Sequence, residues 1–525
     1  MNTDTTFNNS RRRALQWAAL VFTSAMATAP VLSTELRFRS NPFNMGVASG
    51  APSEDGFVIW TRLLGLQERP SETVPVAWEI LDDAPPHATI LRGVAQTSAE
   101  LGYSVHVEPK GLRADSWYRY RFTAGGHQSE TGRTRTLPLS SSSSRSLRVA
   151  YASCQRWEDG YFSAYSQMLN DAPDLVIFLG DYIYEYPARK SRQAVRTHVL
   201  NHIRTLDDFR DRYALYRSDR LIQRMHAACP WLFTWDDHEV ENNYSGNVSV
   251  QGTAEFSSLR IAAYQAFYEN MPIRRSAALG GLKGILEGKP LQVYGTFDFG
   301  RLVRINLLDN RQFRSLPGCG TKPDQNLLGV CTDDTAPQRS MLGNAQERWL
   351  AESFADAASH KIRWNVIAQQ TRFSTAIYSH GVNGNRSSDT WDAFPETRQR
   401  IIDGLLRHKV SNPIIIGGDI HHNWVARIHA DPFDIKSPVV ANEFCGTSIS
   451  SRSSRNQEEI IDLERRNPHC IFANSEKRGY VLIDFSIDHA NVKLMAVDDS
   501  MREDSTVSVL AEFKILDGKQ AMRIS

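Results

Sequence analysis

Four short polar runs in this chain carry residues able to hold metal ions or move protons, and each directly follows an apolar, strand-like run. They are Ala152-Ser153-Cys154-Gln155; Leu179-Gly180-Asp181-Tyr182-Ile183-Tyr184-Glu185; Thr234-Trp235-Asp236-Asp237-His238-Glu239, continuing to Asn242-Asn243-Tyr244; and Gly417-Gly418-Asp419-Ile420-His421-His422-Asn423-Trp424. Open α/β sheets bind ligands at the carboxyl ends of their strands, so all four runs can face one crevice. Hard oxygen donors meeting imidazole and thiol there are what a two-metal hydrolase requires. Two cations about 3.5–4 Å apart activate a water and neutralise phosphate oxygens, and one carboxylate can bridge both. A phenolate and a thiolate favour a trivalent ion such as Fe3+, whereas a carboxylate and amide site suits Ca2+, Mn2+ or Mg2+. Singly, each run has a plainer reading. Cys154 fits a small buried apolar side chain, Gly180-Asp181 a turn, and Asp237-His238 a helix cap with a satisfied histidine. The argument for a site rests on the four together.

The elements that must position these runs read as follows. Leu147–Ser153, Leu175–Leu179, Trp231–Trp235, Leu302–Leu308, Trp364–Ala368 and Ile414–Ile416 are strand candidates. Gly160–Asn170, Leu206–Ala228, Asn344–Ala358 and Glu396–Arg407 read as helices between them, and Gly479–Phe485 and Val492–Val497 as later strands. Strands alternating with helices predict an α/β layered domain over 147–510. Segments 240–300 and 312–342 are expected to be long loops, which are usually functional or mobile. Upstream, Phe57–Trp60, Val76–Ile80, Tyr103–Val107 and Tyr118–Phe122 read as short strands between turn residues, as in a small fibronectin-like β-sandwich over 40–138. The serine-rich run 139–146 is the expected linker, and 511–525 the C-terminal tail.

Sixty Lys+Arg against 59 Asp+Glu leave a formal charge of +1, which gives no electrostatic footprint for nucleic acid. With 41% hydrophobic and 23% charged residues, the chain is neither disordered nor a polytopic membrane protein. At the N-terminus, Ser10-Arg11-Arg12-Arg13-Ala14-Leu15 precedes an apolar run that reaches about Pro30 and contains Ala25-Met26-Ala27. This reads as a removable signal peptide over 1–30. The arginine pair suggests the twin-arginine type, although Ala14 stands where an aromatic is usual; a basic helix or an uncleaved anchor is the alternative. Twin-arginine export carries folded proteins. The expectation is therefore an exported protein, periplasmic or secreted, with the twin-arginine machinery as a partner and no stable membrane span after processing. Six cysteines do not build a disulfide scaffold in a chain this long; Cys319 and Cys331 are the best candidate pair, with free buried thiols the alternative.

The motifs resemble those of the calcineurin-like metallophosphoesterases, and within them the PhoD-like alkaline phosphatases. The matching stretches are Ser153-Cys154-Gln155, GDYIYE at 180–185, WDDHEVENNY at 235–244, LDNRQFR at 308–314 and GGDIHHNW at 417–424, with FNMGVASGAPSEDGFVIWTRL at 43–63 resembling the family's N-terminal domain. Asn310 departs from the threonine usual there. The resemblance implies a four-layer α/β/β/α metallophosphoesterase sandwich preceded by the small all-β domain. It also implies one Fe3+ and one or more Ca2+, with Mn2+, Mg2+ or Zn2+ as substitutes. Carried over residue by residue, Asp181 bridges the metals, Cys154, Tyr184 and His421 hold the iron, and Asp237 and Asp419 hold the second ion. His238 stands for the histidine that contacts phosphate and donates a proton. Asn243, Gln370 and Arg311 are expected to line the site, Arg311 either as a clamp on phosphate oxygens or as a structural ion pair.

The implied function is an exported alkaline phosphatase acting on phosphate esters with a metal-bound hydroxide as nucleophile. Two alternatives stay open. One is a phosphodiesterase, including a phospholipase D of the same family type. The other is a non-catalytic module that keeps the metals.

Overall fold

The computed structural model describes residues 37–67, 73–188, 194–198, 202–317, 327–328, 339–379, 386–519 and 522–524. The candidate signal peptide and the Cys319/Cys331 pair lie outside the described residues.

Three consecutive strands run parallel: Ser146–Ala152, Leu175–Leu179 and Trp231–Thr234. A second parallel set comprises Val303–Leu307, Trp364–Ala368 and Pro413–Gly417. Each set is the centre of a larger mixed sheet, of ten and seven strands respectively. Alternation along the strands explains the stacking, because successive side chains point to opposite faces. Leu175, Ile177 and Leu179 join Ile305, Leu307, Val366, Ile414 and Ile416 in a core between the two sheets. The intervening Val176 and Phe178 face helices Ala164–Asp171, Leu206–Arg217, Arg220–Ala228 and Phe256–Asn270. Ile367 and Ile415 face helices Gly343–Ser359 and Pro395–Arg407 on the other side. The result is the expected four-layer α/β/β/α sandwich. Each fully buried aliphatic side chain in it contributes about 1.5–3 kcal/mol relative to exposure.

The strands of 40–138 divide between two sheets. Val74–Asp82, Thr89–Thr97, Trp117–Ala124, His127–Gln128 and Gly132–Arg135 form a sheet of their own. Val47–Ser53, Gly56–Arg62 and Ser104–Val107 instead extend the ten-stranded sheet, with Gly50 paired to Trp231. Buried polar contacts lock this join: Trp60 Nε1 donates to the Glu269 carbonyl (2.9 Å) and His106 Nε2 bonds the Met271 carbonyl (3.0 Å).

Several sequence expectations need correction. Residues 240–300 are not one loop: Phe256–Asn270 is a helix. Eleven of its fifteen residues are buried, so it lacks the one-sided periodicity that marks a surface helix. The single helix expected over Leu206–Ala228 is two, broken at Ser218-Asp219. Asp219 then caps the second, its Oδ1 accepting from the amides of Leu221 and Ile222. Strand Val507–Leu516 runs through the point where a tail was expected to begin, and pairs along its length with His489–Val497.

Candidate functional site

Cys154, Asp181, Asp237 and Asp419 each lie two or three residues beyond the end of a parallel strand. The backbone leaves those strands abruptly. Cys154 (φ 58°), Asp181 (φ 56°), Asn243 (φ 60°), Asp419 (φ 66°) and His421 (φ 57°) all adopt left-handed conformations. Such conformations are unfavourable for side-chain-bearing residues and cluster at functional sites when the surroundings hold them. Gly180 (φ 97°) cannot be replaced, since a Cβ there would lie 2.4 Å from the Asp236 backbone nitrogen and Cβ. The buried Glu239 holds the turn from below: its carboxylate accepts from the amides of Asp181 (3.0 Å), Tyr182 (2.6 Å) and Asp236 (2.8 Å).

The donor atoms converge. A ligand atom from each of Cys154, Asp181 and His421 lies within 4.8 Å of the others; the same holds for Asp181, Asp237 and His238, and for Asp236, Asp237 and Asp419. Asp181 therefore links the first two groups and Asp237 the last two. Tyr184 hydroxyl donates to Asp181 Oδ2 (2.8 Å), accepts from Ser451 (2.8 Å) and lies 3.1 Å from His421 Nε2. His421 Nδ1 faces the Arg452 carbonyl at 3.0 Å. A carbonyl only accepts, so Nδ1 carries the proton and Nε2 presents its lone pair, the tautomer a metal ligand needs. His238 Nδ1 is 2.7 Å from Glu185 Oε2, which turns the far edge of the ring away from that carboxylate.

Electrostatics place strain on this arrangement. Burial pushes the Asp181 carboxyl well up, His238 opposes the rise, and Asp237 and Asp236 add to it. Asp419 is pushed up to about 7 by burial and by Asp389. Burial also raises the Cys154 thiol, with the Asp181 charge in the same direction. Asp237 goes the other way: burial would raise it, but Arg311 and His238 hold it low. At His238, burial favours the neutral ring, but Glu185, Asp181 and Asp237 outweigh it and raise the imidazole. More carboxylate is buried here than the nearby cations balance. Divalent or trivalent ions fit such a donor set, since they reverse the pKa logic of their ligands and deprotonate a coordinating thiol.

Above these residues opens a cavity of about 490 Å³. Asp181, Tyr184, Asp237, His238, Asn243, Asp419 and His421 line it, as the sequence led one to expect. Cys154, Arg311 and Gln370 do not, Cys154 lying beneath the floor within reach of Asp181 and His421. Arg311 is fully buried behind the wall: its guanidinium binds Asp236, makes a two-pronged pair with Asp389 (2.8 and 2.9 Å) and lies 3.4 Å from Asp237. With three carboxylates already around it, it has no edge for substrate. Gln370 Nε2 donates to Thr234 Oγ1 (2.7 Å), Trp235 O (2.8 Å) and Leu308 O (3.1 Å), and so ties the two sheets together. The sequence reading missed Glu185 as the partner of His238, although it lies inside the GDYIYE run. It also missed Arg156, Arg452, Arg455 and Tyr378 on the cavity wall. Arg156 directly follows the Cys154 run, but its residue type is not a metal ligand; the other three sit in runs with no metal-ligand pattern.

Residues 149–494 match the family model of the PhoD-like phosphatase, and residues 26–138 that of the PhoD-like phosphatase N-terminal domain. The chain is 38% identical over 457 residues to a protein named alkaline phosphatase D from Bacillus subtilis (strain 168), covering 85% of this chain and 76% of that one. A solved structure titled "Structure of PhoD" superposes with a TM-score of 0.86 at 35% identity, covering 93% of each chain.

Proposed function

The chain belongs to the PhoD-like phosphatase family and is a phosphoric ester hydrolase; on that premise we propose that it works as an exported alkaline phosphatase using Fe3+ and Ca2+. The observation that carries this reading is the convergence of the three donor groups, joined through Asp181 and Asp237, at one cavity that both of these residues line. We assign Cys154, Tyr184 and His421 to the iron, Asp237 and Asp419 to the second ion, and Asp181 to both. When bound, the ions supply Lewis acidity that activates water and neutralises the phosphate oxygens.

The chain's own residues then divide the remaining work. His238 lies at the cavity surface with Glu185 behind it. That pairing orients the ring and favours its charged form, so the ring can pass a proton to the leaving oxygen. Arg311 neutralises the carboxylates behind the floor and holds Asp237 in place, a positioning role rather than contact with substrate. The turn fixed by Glu239 keeps Asp181 facing the site. The basic residues at the N-terminus support export, and no described helix is long and apolar enough to cross a membrane.

The test is hydrolysis of p-nitrophenyl phosphate beside bis-p-nitrophenyl phosphate over pH 6–11, with and without Ca2+, on protein of measured metal content. Calcium-dependent monoester turnover at alkaline pH, with iron present, is the expected result. Preference for the diester would replace the monoesterase reading with a phosphodiesterase. No turnover in protein shown to hold both metals would contradict the alkaline phosphatase assignment.

A further inference from the structure

The cavity lining carries both signs of charge. Its floor is acidic. Its rim carries Arg455, half-buried, with the guanidinium carbon 4.5 Å from the centre of the Tyr378 ring. Tyr378 is itself fixed, because its hydroxyl accepts from Arg372 Nη1 at 2.8 Å and the Arg372 guanidinium carbon lies 5.4 Å from the ring centre. The two arginines differ in what balances them. Arg372 is fully buried and 3.4 Å from Asp392. Arg455 has no carboxylate partner among the described residues, although it stands on the wall of an acidic cavity. Stacking over an aromatic ring holds a guanidinium in place while leaving its N–H edge open for a planar anion.

His422 is 3% exposed, and its Nδ1 faces the Ile420 carbonyl at 2.6 Å, so Nε2 carries a bare lone pair. That buried Nε2 has no hydrogen-bond partner among the described residues, and His422 lines the cavity. A buried polar atom without a partner calls for an explanation; a bare lone pair accepts from a donor and repels an anion, so His422 does not hold the anionic group. The volume, about 490 Å³, is several times that of a phosphoryl group, so a phosphate on the floor leaves room above it for the rest of a substrate.

We propose that Arg455, braced by Tyr378, is a specificity-determining residue that binds an anionic substituent on the leaving group of the substrate. This rests on the phosphatase reading above. The floor takes one phosphoryl group and Arg455 meets a second anion on the same cavity wall, so the site selects for esters whose leaving group is itself negatively charged.

The experiment uses the metal-loaded enzyme on phenyl phosphate, 4-carboxyphenyl phosphate and 1,4-phenylene bisphosphate. For each charged substrate, kcat/KM is divided by that for phenyl phosphate. R455Q is expected to lower this ratio at least about tenfold, as loss of a charge-assisted hydrogen bond does, chiefly through KM, and R455K is expected to restore part of it. Comparing wild type with variant on the same pair of substrates cancels their intrinsic reactivities. A drop for both charged substrates identifies a general anion site, and a drop for one alone identifies which anion it takes. A wild-type enzyme with no preference for either, or a variant that changes all three substrates equally, overturns the proposal. Absence of turnover on phenyl phosphate by the metal-loaded wild type would instead overturn the phosphatase reading on which it rests.

Discussion

The floor and the rim of the cavity are built by opposite means. The floor residues follow parallel strands at the centre of two packed sheets, where the frame is rigid enough to impose left-handed backbone on Cys154, Asp181, Asp419 and His421. The rim residues Arg452, Arg455 and Tyr378 lie outside any named helix or strand and are held by side-chain contacts: Arg455 on Tyr378, and the Arg452 amide on Asp159. Chemistry that needs donor atoms fixed within a few tenths of an ångström is placed on strand ends; recognition that needs only a charge in the right direction is placed on loops. The floor therefore serves every substrate, and the rim discriminates between them.

The largest expected effect lies on the floor. Asp181→Asn removes the carboxylate common to two donor groups. It is expected to lower kcat/KM by roughly 10³-fold or more, the scale of losing a principal electrostatic stabiliser, and equally for charged and uncharged leaving groups. A selective loss would break the division between floor and rim. Glu185→Gln comes next. It keeps the hydrogen bond but weakens the charge behind His238, with an expected kcat loss of about 10–100-fold, the range for removing a partner that orients a site histidine. That loss should be greater for alkyl than for nitrophenyl phosphates, because poor leaving groups depend most on the proton. Equal loss for both would mean that His238 does not act as the donor.

Rim substitutions are smaller and selective. Arg455→Gln acts on the substrate ratio described above. Tyr378→Phe keeps the ring under Arg455 and removes only the hydroxyl that accepts from Arg372. It is expected to shift the same ratio by no more than about threefold, within the range of one modest hydrogen bond. A larger shift would show that the hydroxyl, not the ring, sets the position of Arg455.

The same contrast explains what the sequence disclosed. Asp181, Asp237, Asp419 and His421 were legible because each follows a short apolar run, and a buried parallel strand announces itself that way. The α/β layering followed from strands alternating with helices, whereas the four-layer arrangement was what the family resemblance implied. The left-handed backbone was not legible, since it falls on cysteine, aspartate and histidine rather than on glycine. Helix Phe256–Asn270 was hidden because its apolar and polar residues are buried alike. Arg311 sits in a motif yet lies behind the cavity wall: its three carboxylate partners come from segments up to 78 residues distant, a packing outcome that no local pattern records. Arg455 lies in the run Ser-Arg-Ser-Ser-Arg, which reads as an ordinary polar loop.

The central claim is that Asp181 joins two metal sites on one floor. The direct measurement is the iron and calcium content of wild type and Asp181→Asn, by elemental analysis after identical purification and dialysis, with folding of both checked by circular dichroism. Stoichiometric iron with bound calcium in the wild type, and loss of both ions in a folded variant, is the predicted result. A folded variant that keeps both ions at wild-type stoichiometry, or a hydrolytically active wild type that contains neither, would contradict the account.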